Sequence, residues 1–195
     1  SFFDGIQDKV EVLDERVCFR QFDGRDLTGF IDGTENPQFP DDRAETALLP
    51  EDADEFADGS FIFAQRYAHN LEKWKKLKVD VQEQVIGRTK LESIELDDDV
   101  QPNNSHVSRT VVEDDEGEEM AILRHSLPYG DGKGDQGLFF IAYTNNLSII
   151  DSMLLRMFGT SGDGIHDRLL HFVTPKDGAY YFAPSEALLE TILES

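Results

Sequence analysis

The sequence predicts an α+β fold, a split βαβ arrangement in which a four-stranded antiparallel sheet carries helices on one face. Three observations lead there. Two runs, Gly59 to Tyr67 and Gly137 to Tyr143, are aromatic or aliphatic at both alternating positions, as strands buried on both faces must be. Each is followed by apolar residues at helical spacing, and a third strand, Glu119 to Ser126, stands directly before the second run. With a short last strand, Ala179 to Phe182, the order is strand, helix, strand, strand, helix, strand, that of a ferredoxin-like sheet.

Residues 1 to 23 show no sustained period, because Val10, Val12 and Val17 are interrupted by Asp14-Glu-Arg16, and they read as a linker ahead of a domain spanning 24–195. From Asp41 to Asp58, a stretch that follows Pro40 and contains Pro50, eight acidic residues stand against one Arg, which predicts an exposed loop with at most one helical turn. Asn70 is placed to cap a helix carrying Leu71, Trp74 and Leu77, and Val81 to Arg88 continues as a second helical stretch. In Glu119 to Ser126 the alternation puts Met120, Ile122 and Arg124 on one face, with His125 on the other. Leu147, Ile150, Leu154 and Phe158 form the stripe of a helix from Leu147 to Phe158, and Ala187 to Leu193 forms a terminal one.

Charge narrows the function classes. Lys and Arg number 18 against 40 Asp and Glu, a formal net charge of −22, which disfavours any surface that must follow phosphates, so neither nucleic acid nor an anionic membrane is an expected partner. The single cysteine, Cys18, excludes an intramolecular disulfide and fits a reducing cytoplasm. Between strands, Gly132-Lys-Gly-Asp-Gln-Gly137 matches GxGxxG, but it opens no helix and holds an Asp where a pyrophosphate needs backbone amides. Between Glu92 and Glu119 lie eleven acidic residues and one basic residue, Arg109; the neutral island Gln101 to Ser108 inside that stretch contains His106.

Asp32, His106 and Arg124 are the candidates for chemistry. Each also has an ordinary structural reading: Asp32 as a turn residue before Gly33, His106 as a capped first-turn residue after Ser105, and Arg124 as an edge-strand residue whose head reaches water.

The segment Gly24-Arg-Asp-Leu-Thr-Gly-Phe-Ile-Asp-Gly-Thr-Glu-Asn-Pro37 resembles the GxxDG signature of the dye-decolorizing peroxidase family of haem enzymes. Further blocks follow in order: Ile86-Gly-Arg-Thr-Lys90, Asn104-Ser-His-Val-Ser-Arg109, Ile122-Leu-Arg-His-Ser126, Gly137-Leu-Phe-Phe-Ile-Ala142, and Met157-Phe-Gly-Thr-Ser-Gly-Asp-Gly-Ile-His-Asp-Arg-Leu-Leu170. The likeness covers about residues 20 to 185 and is strongest to the bacterial type B branch. It implies haem b, with His106 as the proximal iron ligand and Asp167 accepting its second N–H, Asp163 being the rival for that role. Asp32 and Arg124 are implied to face bound hydrogen peroxide, Arg88 to lie near the haem propionates, and Ser126 and Phe140 to lie against the cofactor.

The implied reaction is peroxide-driven oxidation of a bulky aromatic reductant, a dye, phenol or porphyrinogen, with Trp74 and Tyr129 as weak candidates for carrying electrons outward. A haem-binding or carrier module without turnover is the alternative, and a homo-oligomer building block a third reading. The resemblance further implies two ferredoxin-like domains per chain, of which this sequence supplies one, so a preceding domain and an apolar outer sheet face are expected.

Overall fold

A computed structural model describes residues 9–21, 23–130, 132 and 134–194; residues 1–8 and 22 of the expected linker, and Lys133 of the Gly-rich loop, lie outside the described residues. Strands β1 (Ser60–His69), β2 (Leu123–Arg124), β3 (Leu127–Gly130), β4 (Gln136–Thr144) and β5 (Val173–Ala183) build one antiparallel sheet in the order β2-β4-β1-β5, with β3 also paired to β4. The two strands that are apolar on both faces, β1 and β4, are therefore central neighbours, with Phe63 opposite Ala142 and Tyr67 opposite Leu138. This is the antiparallel α+β arrangement expected.

The count of five conceals one broken edge strand. Arg124 lies opposite Ala142 and Leu127 opposite Phe139, so β2 and β3 keep a single register across the gap at residues 125 and 126. That register sets Ser126 opposite Phe140 and on the same face as Arg124, with His125 turned to the other face against Tyr143. The predicted strand start at Glu119 is instead the end of a hairpin closed by a Glu113 to Glu119 bridge, with Gly117 at φ +85 in its turn.

Helices follow their caps. Helix α2 (Leu71–Trp74) starts where Asn70 Oδ1 accepts from Lys73 N at 3.0 Å, α4 (His106–Thr110) where Ser105 Oγ accepts from Ser108 N at 3.2 Å, and α5 (Leu147–Met157) where Asn146 Oδ1 accepts from Ser148 N at 3.0 Å. Helix α3 (Val79–Ile86) stops at Gly87, whose φ of +96 a side chain would resist. The acidic segment after Pro40 is more helical than expected: α1 runs from Pro40 to Ala47, and a 3₁₀ helix from Glu51 to Phe56 follows. A proline at the first helical position and Asp41 and Asp42 in the first turn suit a helix start, which outweighs the missing apolar stripe. Helix α6 (Glu186–Glu194) closes the chain.

Two packed clusters frame the sheet. Phe30, Trp74, Val85, Ile86 and Phe172 form one; Phe63, Ile122, Ala142, Ile149 and Ile150 form the other. Each large apolar side chain buried in them contributes about 1.5–3 kcal/mol. Trp74 and Tyr129 are each only 2% exposed, so both pack inside rather than reach the surface. On the opposite face of the sheet Ile62, Ile141 and Tyr143 are half-buried, while Leu127 and Tyr181 are exposed.

At Gly137 a Cβ would stand 1.8 Å from the carbonyl oxygen of Tyr67, inside the central β1–β4 pair. Gly137→Ala must push two core strands apart, an overpacking cost of about 3 kcal/mol. Its midpoint in thermal unfolding is expected to fall by roughly 6–12 °C for a chain of this size, and an unchanged midpoint would contradict the close approach.

Candidate active site

Between the helix-covered face of the sheet and α3, α4 and α5 lies a cavity of about 340 Å³. Its walls are mostly apolar: Phe63 and Phe140 from the sheet, Ile86 from α3, and Ile150, Met153 and Met157 from α5. Asp32, Arg88, His106, Arg124 and Phe140, all singled out in the sequence, line it together.

His106 is the first residue of α4, and its position follows from the Ser105 cap, so the capped-turn reading and the site reading describe the same residue. The ring is 28% exposed and its Nδ1 is 2.6 Å from Asp167 Oδ2. Asp167 is completely buried; its Oδ1 accepts from Leu169 N at 2.8 Å, and its own N–H donates to Met157 O at 2.8 Å. Asp163 points elsewhere, to Arg109 at 2.8 Å and to Ile165 N. With Nδ1 committed to a carboxylate, the imidazole keeps Nε2 for a ligand, and the carboxylate fixes the ring's orientation.

Asp32 and Arg124 come from different elements. Asp32 lies in the Gly24–Gly33 loop, which Arg25 fastens by donating to the carbonyls of Gly29, Lys90 and Leu91. Arg124 lies on edge strand β2, where Asn36 holds its backbone twice, Oδ1 accepting from Arg124 N at 2.9 Å and Nδ2 donating to Arg124 O at 2.7 Å. Their charged ends are 3.8 Å apart, each side chain a little over one-fifth exposed. Ser126 Oγ, on the same sheet face two residues on, is buried and has no hydrogen-bond partner.

Arg88 is buried at the cavity mouth, donating to Ser93 O at 2.7 Å, to Glu95 at 2.9 Å and to Glu35. Burial pushes the Glu95 carboxyl above its ordinary range, with Arg88 pulling down and Glu35 and Glu119 pushing further up. Near the inner end Tyr67 is also pushed up, by burial first and by Asp167 second.

Sequence reasoning passed over Asp26 and His69, which also line the cavity. Their side chains are nearly inaccessible, His69 Nδ1 is 3.5 Å from Asp26 Oδ2, and neither His69 Nδ1 nor Asp26 Oδ1 has a hydrogen-bond partner. The available signal was local: Asp26 precedes a Leu-Thr-Gly turn, and His69 ends the inward-facing row Phe63, Gln65, Tyr67 of β1.

Comparison with known proteins shows the family. The family model described as Dyp-type peroxidase, C-terminal, matches residues 23–188, and the chain belongs to that family. It is 45% identical over 184 residues to the dye-decolorizing peroxidase of Mycobacterium tuberculosis, covering 94% of this chain and 55% of that one. To the Rhodococcus erythropolis enzyme it is 42% identical, covering 93% and 53%. Among solved structures, the dye-decolorizing protein from V. cholerae superposes with a TM-score of 0.89 at 47% identity, covering 97% of this chain and 63% of that one. DyPB from Rhodococcus jostii RHA1 gives 0.92 at 43%, covering 97% and 61%, and variants of that protein are described in complex with heme. The chain spans about half the length of the curated relatives it matches.

Burial holds His69 below its ordinary pKa, with Asp26 pulling the other way. The unfolded chain therefore binds this proton more readily than the folded one. Stability contributed at neutral pH is lost as pH falls below about 6.5, at no more than about 1.4 kcal/mol per pH unit from this one group. His69→Gln is expected to flatten that segment between about pH 6.5 and 5 in urea unfolding; equal slopes for the two proteins would remove His69 as the cause.

Proposed function

We propose that this chain's domain, residues 24–195, binds haem b through His106 and serves an enzyme that uses hydrogen peroxide to oxidise bulky aromatic reductants. The observation that carries this reading is the imidazole of His106 on an apolar cavity wall, tied behind to a fully buried carboxylate and sharing the cavity with the Asp32–Arg124 pair. The residues fit the group. A flat hydrophobic macrocycle needs apolar walls, which Phe140, Ile86 and α5 supply, and iron needs a neutral imidazole nitrogen, which the Asp167 bond leaves at Nε2.

The chemistry supplied by bound haem is redox: cleavage of the peroxide O–O bond and oxidation of the reductant one electron at a time. The protein's share is binding and proton handling. His106 holds the iron and Asp167 orients the ring. The Asp32 carboxylate takes the proton from one peroxide oxygen and returns it to the other, and the Arg124 guanidinium stabilises the negative charge that develops on the departing oxygen. Ser126 Oγ, buried without a partner, is free to hydrogen-bond water or peroxide on that face. The apolar walls exclude bulk water and so strengthen each of these interactions. A single cysteine, Cys18, supports residence in the reducing cytoplasm.

Titration with haem, followed by the Soret band, and stopped-flow mixing with peroxide test the reading. His106→Ala is expected to lose stable iron ligation, and because it also leaves the buried Asp167 carboxylate without its ring partner, circular dichroism of the variant serves as the control for its fold. Arg124→Leu is expected to slow the reaction with peroxide by about 100-fold to 1000-fold, and Asp32→Asn to slow it to an extent that varies with pH. Haem binding with no peroxide reaction in the parent protein would select the carrier alternative, and a ferric spectrum unaffected by His106→Ala would overturn the assignment of the ligand.

A further inference from the structure

All three methionines of the chain, Met120, Met153 and Met157, line the cavity that holds the Asp32–Arg124 pair. The remaining sulfur belongs to Cys18, which bridges to Tyr129 and does not line it. Methionine is an ordinary filler of irregular apolar gaps, and Met120 and Met153 pack against the cluster of Phe63, Ile122, Ala142, Ile149 and Ile150. The other packed cluster, around Trp74 and Phe172, contains none, so packing alone does not bring every thioether to one cavity.

The three residues differ in their access to the polar pair. Met120 and Ile122 precede Arg124 at alternate positions and all three line the cavity, so Met120 stands on the Arg124 wall; its N–H donates to Val112 O at 2.8 Å, and the residue is half-buried. Met157 is on the His106 side, 7% exposed, its carbonyl accepting from Asp167 N at 2.8 Å. Met153 is half-buried one turn earlier on α5.

We propose that Met120, Met153 and Met157 are oxidation sites for the peroxide this cavity admits: in the absence of an aromatic reductant each thioether becomes a sulfoxide, Met120 first and Met157 last, and the sulfoxides weaken haem binding. This goes beyond the haem and peroxide reading of the cavity and rests on it. A thioether is a two-electron reductant. One peroxide oxygen bonds to sulfur as the O–O bond breaks, and the other leaves with both protons as water, so sulfur is oxidised by two electrons and peroxide is reduced by two. The groups that handle peroxide serve this transfer as well: Asp32 carries the proton to the departing oxygen, and Arg124 stabilises the charge that develops there. A sulfoxide turns a flexible apolar wall residue into a polar one. Set against a hydrophobic macrocycle, each such oxygen lowers haem affinity by about 10-fold. Dedicated reductases return the sulfoxide to the thioether, so the loss is reversible.

Trypsin leaves each methionine in its own peptide, residues 110–124, 134–156 and 157–168, with Cys18 in a fourth. Haem-loaded protein is mixed with peroxide, alone or with excess tyrosol as reductant, and the peptides are followed by mass spectrometry. The mass of one oxygen atom is expected first on 110–124, next on 134–156 and last on 157–168, and tyrosol is expected to suppress all three gains. Arg124→Leu should slow the first gain, read in the peptide 110–133 that this variant yields, by about 100-fold. Haem affinity, measured by transfer to apomyoglobin, should fall by about 10-fold per sulfoxide. The triple variant Met120→Leu, Met153→Leu and Met157→Leu should show the same haem affinity before and after peroxide, which separates thioether oxidation from damage to the haem. Intact methionines after the peroxide is consumed, oxidation no faster than that of N-acetylmethionine amide in the same solution, a rate indifferent to Arg124→Leu, or an order led by Met157 would each overturn the proposal. A missing Soret band would strike the haem reading and the proposal with it, whereas a normal Soret band with unoxidised methionines strikes the proposal alone.

Discussion

A carboxylate with no access to water must be paired, and Asp167 is the place where this chain meets that demand. Its two oxygens are divided between elements far apart in sequence, Oδ2 on the His106 ring and Oδ1 on the Leu169 amide, while its own amide bonds Met157 O at the end of α5. The next residue, Arg168, donates its N–H to Asn104 O, just before the Ser105 cap. The start of α4, the end of α5 and the 3₁₀ turn Arg168–His171 are thereby held at one point. The orientation of the histidine is thus a consequence of how three backbone segments satisfy one buried charge.

The opposite wall is arranged on the same principle with a different residue. Asn36, at the end of the Gly24–Gly33 loop's continuation, reads both the N–H and the carbonyl of Arg124, which joins a loop to a strand edge that would otherwise lack a partner there. The edge strand breaks over the next two residues, 125 and 126, and keeps its register, so Arg124 and Ser126 face inward together. A one-residue slip would have turned both to the other face.

Much of this was legible in the chain before any coordinate. Strands β1 and β4 could be read because they are apolar on both faces, a pattern that only a buried position tolerates, α2 because Asn70 marks its start, α5 because Leu147, Ile150, Leu154 and Phe158 form one stripe, and the first turn at His106 because Ser105 precedes it. Helix α1 was less legible: it buries only Ala47, so it has no stripe to detect and depends on Pro40 and its first-turn acids. Strand β5 was cut short in the reading because Lys176, Asp177 and Gly178 are exposed at the sheet edge, where polarity no longer reports on pairing. Residues meeting at the cavity differ in the same way. His106, Asp32 and Arg124 stand out as polar groups in neutral or apolar settings, but no spacing rule joins residue 106 to residue 167, and the choice between Asp163 and Asp167 required the geometry. Asp26 and His69 were hidden because an Asp in a Gly-bounded turn and a His at a strand end each have an ordinary local explanation.

The separation of Asp32 from Arg124 is as informative as their proximity. At 3.8 Å the two are within ionic reach and beyond hydrogen-bond length, so neither has spent its donors or acceptors on the other. A closed bidentate pair would have cancelled both charges and filled the space between them. What holds them short of contact is backbone anchorage: the amide of Asp32 bonds Gly24 O at 3.1 Å, Arg25 and Ile31 form a bridge on either side of the turn, and Arg124 is fixed by Asn36. Because each group is held by its own element, the cavity keeps two opposite charges ready around a gap without the cost of separating them when a small polar molecule arrives. That is preorganisation in the sense that matters for charge developing in a reaction: the dipoles are oriented by folding and need not reorient during the step.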